Sequence, residues 1–169
     1  GGPAGLYFSI SMKLLDPSCE VVVLERNKPD DTFGWGVVLS DETLDNLHAN
    51  DPISAASIRE NFAYWDDIAL HFRGERLVST GHGFCGIGRK KLLMLLQERA
   101  RALGVDLRYE TEVESAEAYR GEYDVVVAND GLNSKTRMLY QDTFKPAIDE
   151  RLCQFVWLGT HQTFKDAFT

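Results

Sequence analysis

The residues Gly1-Gly2-Pro3-Ala4-Gly5 open the chain, directly before an apolar helical pattern that runs from Leu6 to Leu15. A strand is predicted over Glu20 to Leu24, because its apolar run is typical of a strand covered on both faces in a parallel sheet. Glu25 follows that strand at once, about 20 residues after Gly5. A glycine loop, a helix, a strand and an acid in this order predict a site for the phosphates and ribose of a dinucleotide.

Each residue of this pattern has a physical task. Gly2 and Gly5 match the second and third glycines of G-x-G-x-x-G, so Gly2 would let the backbone approach a pyrophosphate and Gly5 would let the helix pack closely on the sheet. The N-terminus of the helix adds free N–H groups and partial positive charge. The carboxylate of Glu25 can accept both ribose hydroxyls of an adenosine. The alternative is a tight turn into a helix, with Glu25 as an ordinary surface residue.

Composition narrows the class of partner. The net charge is −8 and the isoelectric point is about 5.0, which argues against a nucleic acid partner, since that would need clustered Lys and Arg. It does not argue against nucleotide cofactors, because backbone N–H groups bind their phosphates. The three cysteines are widely spaced and odd in number, which indicates neither a disulfide framework nor a zinc site and favours a reducing, cytoplasmic compartment. No apolar run reaches the roughly 20 residues of a transmembrane helix, so no membrane partner is expected.

The rest of the chain alternates predicted helices and strands, which indicates an α/β fold with a parallel sheet. A hairpin is expected as an insertion in that scheme. Residues 81–86 also spell G-x-G-x-x-G, but no buried strand precedes them, so we assign them to a flexible connector. The expected elements are a loop over 27–41, helices over 42–49, 52–62 and 89–103, a hairpin over 67–80 turning at Arg73-Gly74, a glycine-rich connector over 81–88, and strands over 105–109, 123–128 and 155–159.

Two further groups of residues are candidates for ligand contact. Asp130-Gly131 forms a turn after a predicted strand, at the carboxyl edge of the sheet where α/β proteins bind ligands, and Ser134 can cap the helix that follows. A well-capped turn without a ligand explains this motif equally well. Arg89 stands at a helix N-terminus, which is unfavourable for a cation by roughly 0.3–1 kcal/mol. Contact with an anionic cofactor or a surface salt bridge would offset this unfavourable position of the Arg89 cation.

Together these motifs resemble the FAD-dependent aromatic hydroxylases of the para-hydroxybenzoate hydroxylase fold. The match comprises the glycine loop with Glu25-Arg26, the Arg-x-x-Leu-x-x-x-Leu helix that begins at Arg89, and the Asp-Gly motif over 128–137. Residues 31–41, 81–84 and 155–161 are similar to the group of salicylyl-CoA 5-hydroxylase and 2-aminobenzoyl-CoA monooxygenase. The Gly-Trp-Gly segment, residues 34–36, is also similar to the hydroxylases of violacein biosynthesis.

The resemblance implies a flavoprotein in which NADH or NADPH reduces FAD, and O₂ then gives a flavin C4a-hydroperoxide that hydroxylates an aromatic ring held as a CoA thioester. Three alternatives stay open: an indole- or tryptophan-derived substrate, an FAD oxidoreductase that does no oxygenation, and a nucleotide-binding module without catalysis. The implied FAD contacts are Gly1, Gly2, Pro3, Ala4, Gly5, Glu25, Arg26, Trp35, Gly36, Val37, Arg89, Asp130 and Gly131.

The resemblance also implies a boundary, with a Rossmann-like FAD-binding domain over 1–150 and the start of a substrate-domain sheet over 151–169. The first glycine of the loop and its strand would precede Gly1, and the family's second FAD motif, Gly-Asp-Ala-x-His/Pro, does not occur, so we expect a fragment truncated at both ends. Many relatives carry an arginine near the flavin where this chain has Phe33-Gly34-Trp35-Gly36. No metal site is expected, and neither a catalytic base nor an oligomeric state can be assigned.

Overall fold

The structure is a computed structural model that describes residues 1–156, 158–163 and 167–169. The fold is mixed α/β, and the chain divides into two compact units, one of Gly1–Pro29 with Ala100–Val156 and one of Asp30–Arg99 with Trp157–Thr169. In chain order the elements are α1 (Pro3–Leu15), β1 (Val22–Leu24), β2 (Gly36–Ser40), α2 (Asp41–Asn50), α3 (Pro52–Arg59), β3 (Ala63–Trp65), β4 (Ile68–Phe72), β5 (Glu75–Ser79), β6 (Phe84–Gly88), α4 (Arg89–Ala102), β7 (Asp106–Arg108), α5 (Lys135–Leu139) and α6 (Gln141–Phe144), with a 3₁₀ turn at Ala116–Tyr119.

The first unit contains the predicted loop, helix and strand. Helix α1 begins at Pro3, three residues before the apolar pattern, because proline suits the first helical position, where no N–H is needed. Leu6 and Ile10 of α1 are fully buried. Strand β1 pairs in parallel with β7, and Val23 lies opposite Leu107. The first unit therefore contains a parallel pair of strands with a helix before it, as the pattern predicts.

The strand predicted over 123–128 is not formed. Residues 125–128 have no regular structure, and Val125 is 73% exposed. No strand among the described residues pairs with them, so their backbone groups have no ladder to join. The run of three valines was a correct sign of β propensity, but propensity alone does not make a strand without a partner.

The second unit is built on an antiparallel sheet with the strand order β2-β6-β3. This overturns two predictions, because the expected loop over 27–41 contains β2 and the expected connector over 81–88 contains β6, the central strand. Cys85 and Ile87 of β6 are buried on the inner face of the sheet. Glycines at alternate positions of β6 concealed the strand pattern, since glycine is a weak strand former.

Three helices accompany this sheet. Ser40 caps α2 by accepting the N–H of Thr43 at 3.3 Å. Helix α3 ends at Arg59, earlier than expected. Helix α4 buries an apolar face of Leu92, Leu93, Leu96 and Ala100, and Gly104 follows its end with φ 83°.

The predicted hairpin is confirmed as β4 and β5, joined at Arg73 and Gly74, whose φ angles of 51° and 85° suit a tight two-residue turn. Phe168 lies beside β4, where it accepts the N–H of Ala69 at 2.8 Å. The strand predicted over 155–159 is wrong for residues 155, 156, 158 and 159, which have no regular structure, and Trp157 lies outside the described residues.

Over the described part of the chain, no helix has the length and apolar character needed to cross a membrane.

Candidate functional site

The glycine loop places an uncovered helix N-terminus in the first unit. Gly2 is the residue before α1, the first turn carries no acidic residue, and no described side chain caps it. A β-carbon at Gly2 would meet no atom within 4 Å, so the space in front of this turn is open. A β-carbon at Gly5 would lie 3.5 Å from Cβ of Asn129, which brings α1 into contact with the residue before Asp130. Open N–H groups and partial positive charge fit the phosphates of a dinucleotide.

Glu25 lies against this loop. A β-carbon at Gly1 would stand 2.5 Å from Cβ of Glu25, so only glycine allows this approach. Oε2 of Glu25 is 3.1 Å from the backbone nitrogen of Gly1, and Oε1 accepts both the backbone and the side-chain N–H of Asn27 at 2.8 Å. Burial raises the pKa of Glu25, whereas the backbone and side-chain hydrogen bonds from Asn27 lower it, and the pKa lies below its ordinary value. The side chain is therefore an ionised acceptor next to the glycine loop.

The Asp-Gly motif forms a turn that leads into α5. Asp130 accepts the N–H of Thr136 at 3.0 Å, and Ser134 accepts the N–H of Arg137 at 2.9 Å. Burial raises the pKa of Asp130, but hydrogen bonds from Ser134 and Thr136 outweigh it and lower the pKa overall. Gly131 has φ 79°, a conformation that favours glycine. One carboxylate oxygen of Asp130 thus holds the turn in place.

A cavity of about 970 Å³ lies beside this motif in the first unit. Val126 and Val127 line it together with Ser134 and Arg137. The buried Nε of Arg137 has no hydrogen-bond partner among the described residues, so this wall retains a donor. Cavities of several hundred cubic ångströms with few polar groups are typical of cofactor and substrate sites.

The second unit brings another group of predicted contacts together. The carbonyl of Trp35 accepts the N–H of Arg89 at 3.1 Å, and Gly36 lies opposite Gly88 in the β2–β6 ladder. Val37 is half-buried beside Ile87. The segment 35–37 and the start of α4 are therefore neighbours in space. Their predicted roles toward FAD stay predictions.

The second G-x-G-x-x-G sequence has a structural task. Gly83 has φ 58°, and a β-carbon there would lie 2.0 Å from Oδ2 of Asp41. The ring of His82 stacks on Phe84, with the centroids 5.9 Å apart. This stretch enters β6 and packs on the start of α2, so it is not a helix-entry loop for phosphates.

Sequence reasoning missed the residues that support the predicted contacts. Asn27 donates to Glu25, Asn129 lies beside Gly5, and Gly159 lies against the ring of Trp35. An amide two residues after the acid was a usable local signal for Asn27. The other two contacts join distant parts of the chain, which no spacing rule reveals. Within the described residues, no group of three His, Cys, Asp or Glu side chains is placed to hold a metal ion.

Comparison with known proteins confirms the resemblance. The chain is 46% identical over 163 residues to a salicyloyl-CoA 5-hydroxylase of a Streptomyces species, covering 96% of this chain and 31% of that protein. It is 33% identical over 167 residues to a protodeoxyviolaceinate monooxygenase of Chromobacterium violaceum, covering 96% of this chain and 44% of that protein. The chain thus spans less than half of the length of these relatives. No model of a protein family matches it.

Two solved structures have a fold similar to that of this chain over 66% of its length. The tetrameric form of 2-methyl-3-hydroxypyridine-5-carboxylic acid oxygenase is similar with a TM-score of 0.58 and 24% identity, over 66% of this chain and 30% of that one. CtdE, solved in complex with FAD and a substrate, is similar with a TM-score of 0.54 and 20% identity, over 66% of this chain and 29% of that one. At these identities the likeness concerns the fold alone.

Proposed function

We propose that the chain is part of an FAD-dependent monooxygenase that hydroxylates an aromatic substrate held as a CoA thioester. The observation that carries the proposal is the geometry of the glycine loop, where an uncapped helix begins beside open space and Glu25 lies against Gly1. The parallel pair β1–β7 with α1 before it supports a Rossmann-like arrangement. The 46% identity to a salicyloyl-CoA 5-hydroxylase supports the chemistry.

The residues of the first unit fit the adenosine diphosphate part of FAD. The first turn of α1, with Gly2, Pro3, Ala4 and Gly5, would bind the pyrophosphate through backbone N–H groups. Glu25 would accept the ribose hydroxyls, and the exposed Arg26 would lie on the adenine side. Asp130-Gly131 would hold the turn that faces the cofactor and the reductant, NADH or NADPH.

The residues of the second unit are proposed to contact the flavin ring. These residues are Trp35, Gly36 and Val37 on one segment and Arg89 at the start of α4. When bound, FAD would supply the reduction by NAD(P)H and the activation of O₂, while the protein orients the aromatic ring and excludes water. We place this chemistry in the cytoplasm, in keeping with three free cysteines.

A second candidate substrate is an indole-derived compound. The 33% identity to a protodeoxyviolaceinate monooxygenase favours it. An FAD oxidoreductase that does not oxygenate its substrate is a third reading, which differs from the first two in its product.

The test is a set of measurements on the purified protein. We expect the absorption bands of oxidised flavin, and NADH or NADPH oxidation that rises when salicyloyl-CoA is added. A product that carries one atom from isotope-labelled O₂ would establish hydroxylation. Free salicylate is the matched control for the thioester, and an indole-derived substrate tests the second candidate.

Each result of this test decides between the readings. The absence of flavin bands would contradict FAD binding altogether. Flavin bands with NAD(P)H oxidation but no labelled product would favour an oxidoreductase without oxygenation. Equal stimulation by free salicylate and by its CoA thioester would exclude a role for CoA in recognition.

A further inference from the structure

The indole of Trp35 packs against the backbone on one side, and the rest of the ring is exposed to solvent. A β-carbon at Gly159 would stand 3.2 Å from Cζ2, 3.3 Å from Cε2 and 3.6 Å from Cδ2 of Trp35. These three atoms belong to the fused ring system, so the ring lies over the bare backbone of Gly159. Trp35 is nonetheless 71% exposed. A large aromatic ring is therefore seated against one segment while most of its surface faces outward.

The backbone that carries this indole is also fixed. The carbonyl of Trp35 accepts the N–H of Arg89 at 3.1 Å, and the next residue, Gly36, is paired with Gly88 in the β2–β6 ladder. Ordering a free side chain on binding costs conformational entropy. Because both the backbone and one side of the ring are already placed, a ligand that stacks on Trp35 avoids most of that cost.

We propose that Trp35 is a stacking platform for a planar aromatic ring and that Gly159 is the residue that positions it. Aromatic rings attract each other in offset stacked arrangements beyond the effect of buried area alone. The inference rests on the proposed function, which supplies two planar rings of this chemistry, the flavin and the ring of the substrate. Gly159 is outside the contacts that the motifs predict, and its role here is to leave room for the indole.

The test uses two binding measurements and a double-mutant cycle. One arm measures the Kd of FAD for the apoprotein, and the other measures the Kd of salicyloyl-CoA for the FAD-loaded protein. We expect Trp35→Leu to raise the Kd about tenfold in at least one arm, and Trp35→Phe, which keeps a planar ring, to raise it only about twofold. Because Trp35 is exposed, neither change should disturb folding, and circular dichroism checks this.

Gly159 is tested through its effect on Trp35. We expect Gly159→Val to weaken binding in the wild-type background and to have no further effect in the Trp35→Leu background, because the two residues act as one unit. Gly159→Ala is the milder variant, and its β-carbon would press on the ring by only a few tenths of an ångström. An equal loss from Gly159→Val in both backgrounds would overturn the positioning role.

The two binding measurements show which ligand stacks on Trp35, and they distinguish a failure of this proposal from a failure of the proposed function. A loss in the FAD arm identifies the flavin as the stacked ring, and a loss in the salicyloyl-CoA arm identifies the substrate. If Trp35→Leu changes neither Kd, the platform is refuted. A wild-type flavoprotein that shows no hydroxylation contradicts the proposed function, while the FAD arm still decides whether Trp35 stacks an aromatic ring.

Discussion

The guanidinium of Arg99 forms a two-pronged ion pair with the carboxylate of Asp51, with Nε–Oδ2 at 2.8 Å and Nη2–Oδ1 at 3.0 Å. Asp51 is 1% exposed, and it also accepts the hydroxyl of Ser54 at 2.6 Å and the N–H of Ile53 at 3.3 Å. Its own N–H donates to the carbonyl of Leu47. Asp51 therefore ends α2, caps α3 and joins both to α4.

Loss of Arg99 should destabilise the second unit strongly. Arg99→Met leaves a buried carboxylate unpaired, which should lower the free energy of unfolding by about 3 kcal/mol in urea denaturation. The matched control is Arg59→Met, since Arg59 is exposed and forms a 3.5 Å pair with the exposed Asp45. That change should cost less than about 1 kcal/mol. Equal losses would show that burial of the Asp51 pair has no special effect.

The ion pair of Asp51 and Arg99 should make the free energy of unfolding depend on pH. Burial raises the pKa of Asp51, but the bonds from Arg99 and Ser54 outweigh it and lower the pKa in the folded state. A group with a lowered folded pKa stabilises the fold above its unfolded pKa, about 3.9, and that contribution is lost as the pH falls through the folded value. The stability gap between wild type and Asp51→Asn should therefore be full at pH near 6 and shrink below about pH 4. A gap that stays constant across this range would contradict the ionised pair.

Gly2→Ala should separate cofactor binding from stability. A β-carbon at Gly2 meets nothing within 4 Å, and its φ of −71° suits alanine, so the melting temperature should not change appreciably. The added methyl would occupy the space proposed for the pyrophosphate and should weaken FAD binding at least about tenfold. Gly74→Ala, at an exposed glycine of the β4–β5 turn with open space but φ 85°, controls for general effects of the substitution on FAD binding. Unchanged FAD affinity in Gly2→Ala would place the phosphates elsewhere.

Glu25→Gln should reduce the affinity for FAD while it keeps the size and shape of the side chain at position 25. A hydrogen bond to a charged group contributes about 1.5–3 kcal/mol, so the Kd of FAD should rise roughly tenfold to a hundredfold. Glu20→Gln, at an exposed residue before β1, is the charge-matched control and should leave the Kd unchanged. FAD titration monitored by flavin fluorescence measures both. Equal effects from the two changes would indicate a general influence of net charge.

Gly83→Ala should destabilise the second unit more than Gly81→Ala. Both residues have positive φ, so each alanine is strained by about 1–2 kcal/mol. Only at Gly83 would the methyl also meet Oδ2 of Asp41, at 2.0 Å, whereas nothing lies within 4 Å at Gly81. The double variant Gly83→Ala/Asp41→Ala should recover part of the difference in thermal unfolding. No recovery would mean that backbone strain alone sets the effect.

The parts of the fold that the sequence predicted depend on short-range signals. The β4–β5 hairpin follows from Arg73-Gly74 between alternating residues, and α4 follows from an apolar stripe that ends at Gly104. The glycine loop, α1, β1 and Glu25 also lie within one continuous stretch. In each case, the residues that decide the structure are neighbours in the chain, so their spacing carries the information.

The parts that were missed depend on distant partners. Strand β2 pairs with β6, where Gly36 meets Gly88. Glycines at alternate positions conceal the strand pattern of β6, so nothing local indicates the partner that β2 needs. Residues 125–127 show the opposite case, since three valines predict a strand that no described neighbour completes. The contact of Gly159 with Trp35 likewise joins segments far apart in the chain.

The three consecutive valines at 125–127 also affect how readily molecules of this protein associate with one another. The segment has no regular structure, but its side chains are exposed and no described strand pairs with its backbone, so it offers the unpaired groups of an open edge. Such an edge is a template on which the same segment of another molecule can add as a strand. We therefore expect the chain to self-associate through this short stretch as its concentration rises, and we expect Val126→Lys, which adds a charge to the edge, to reduce that association in light scattering.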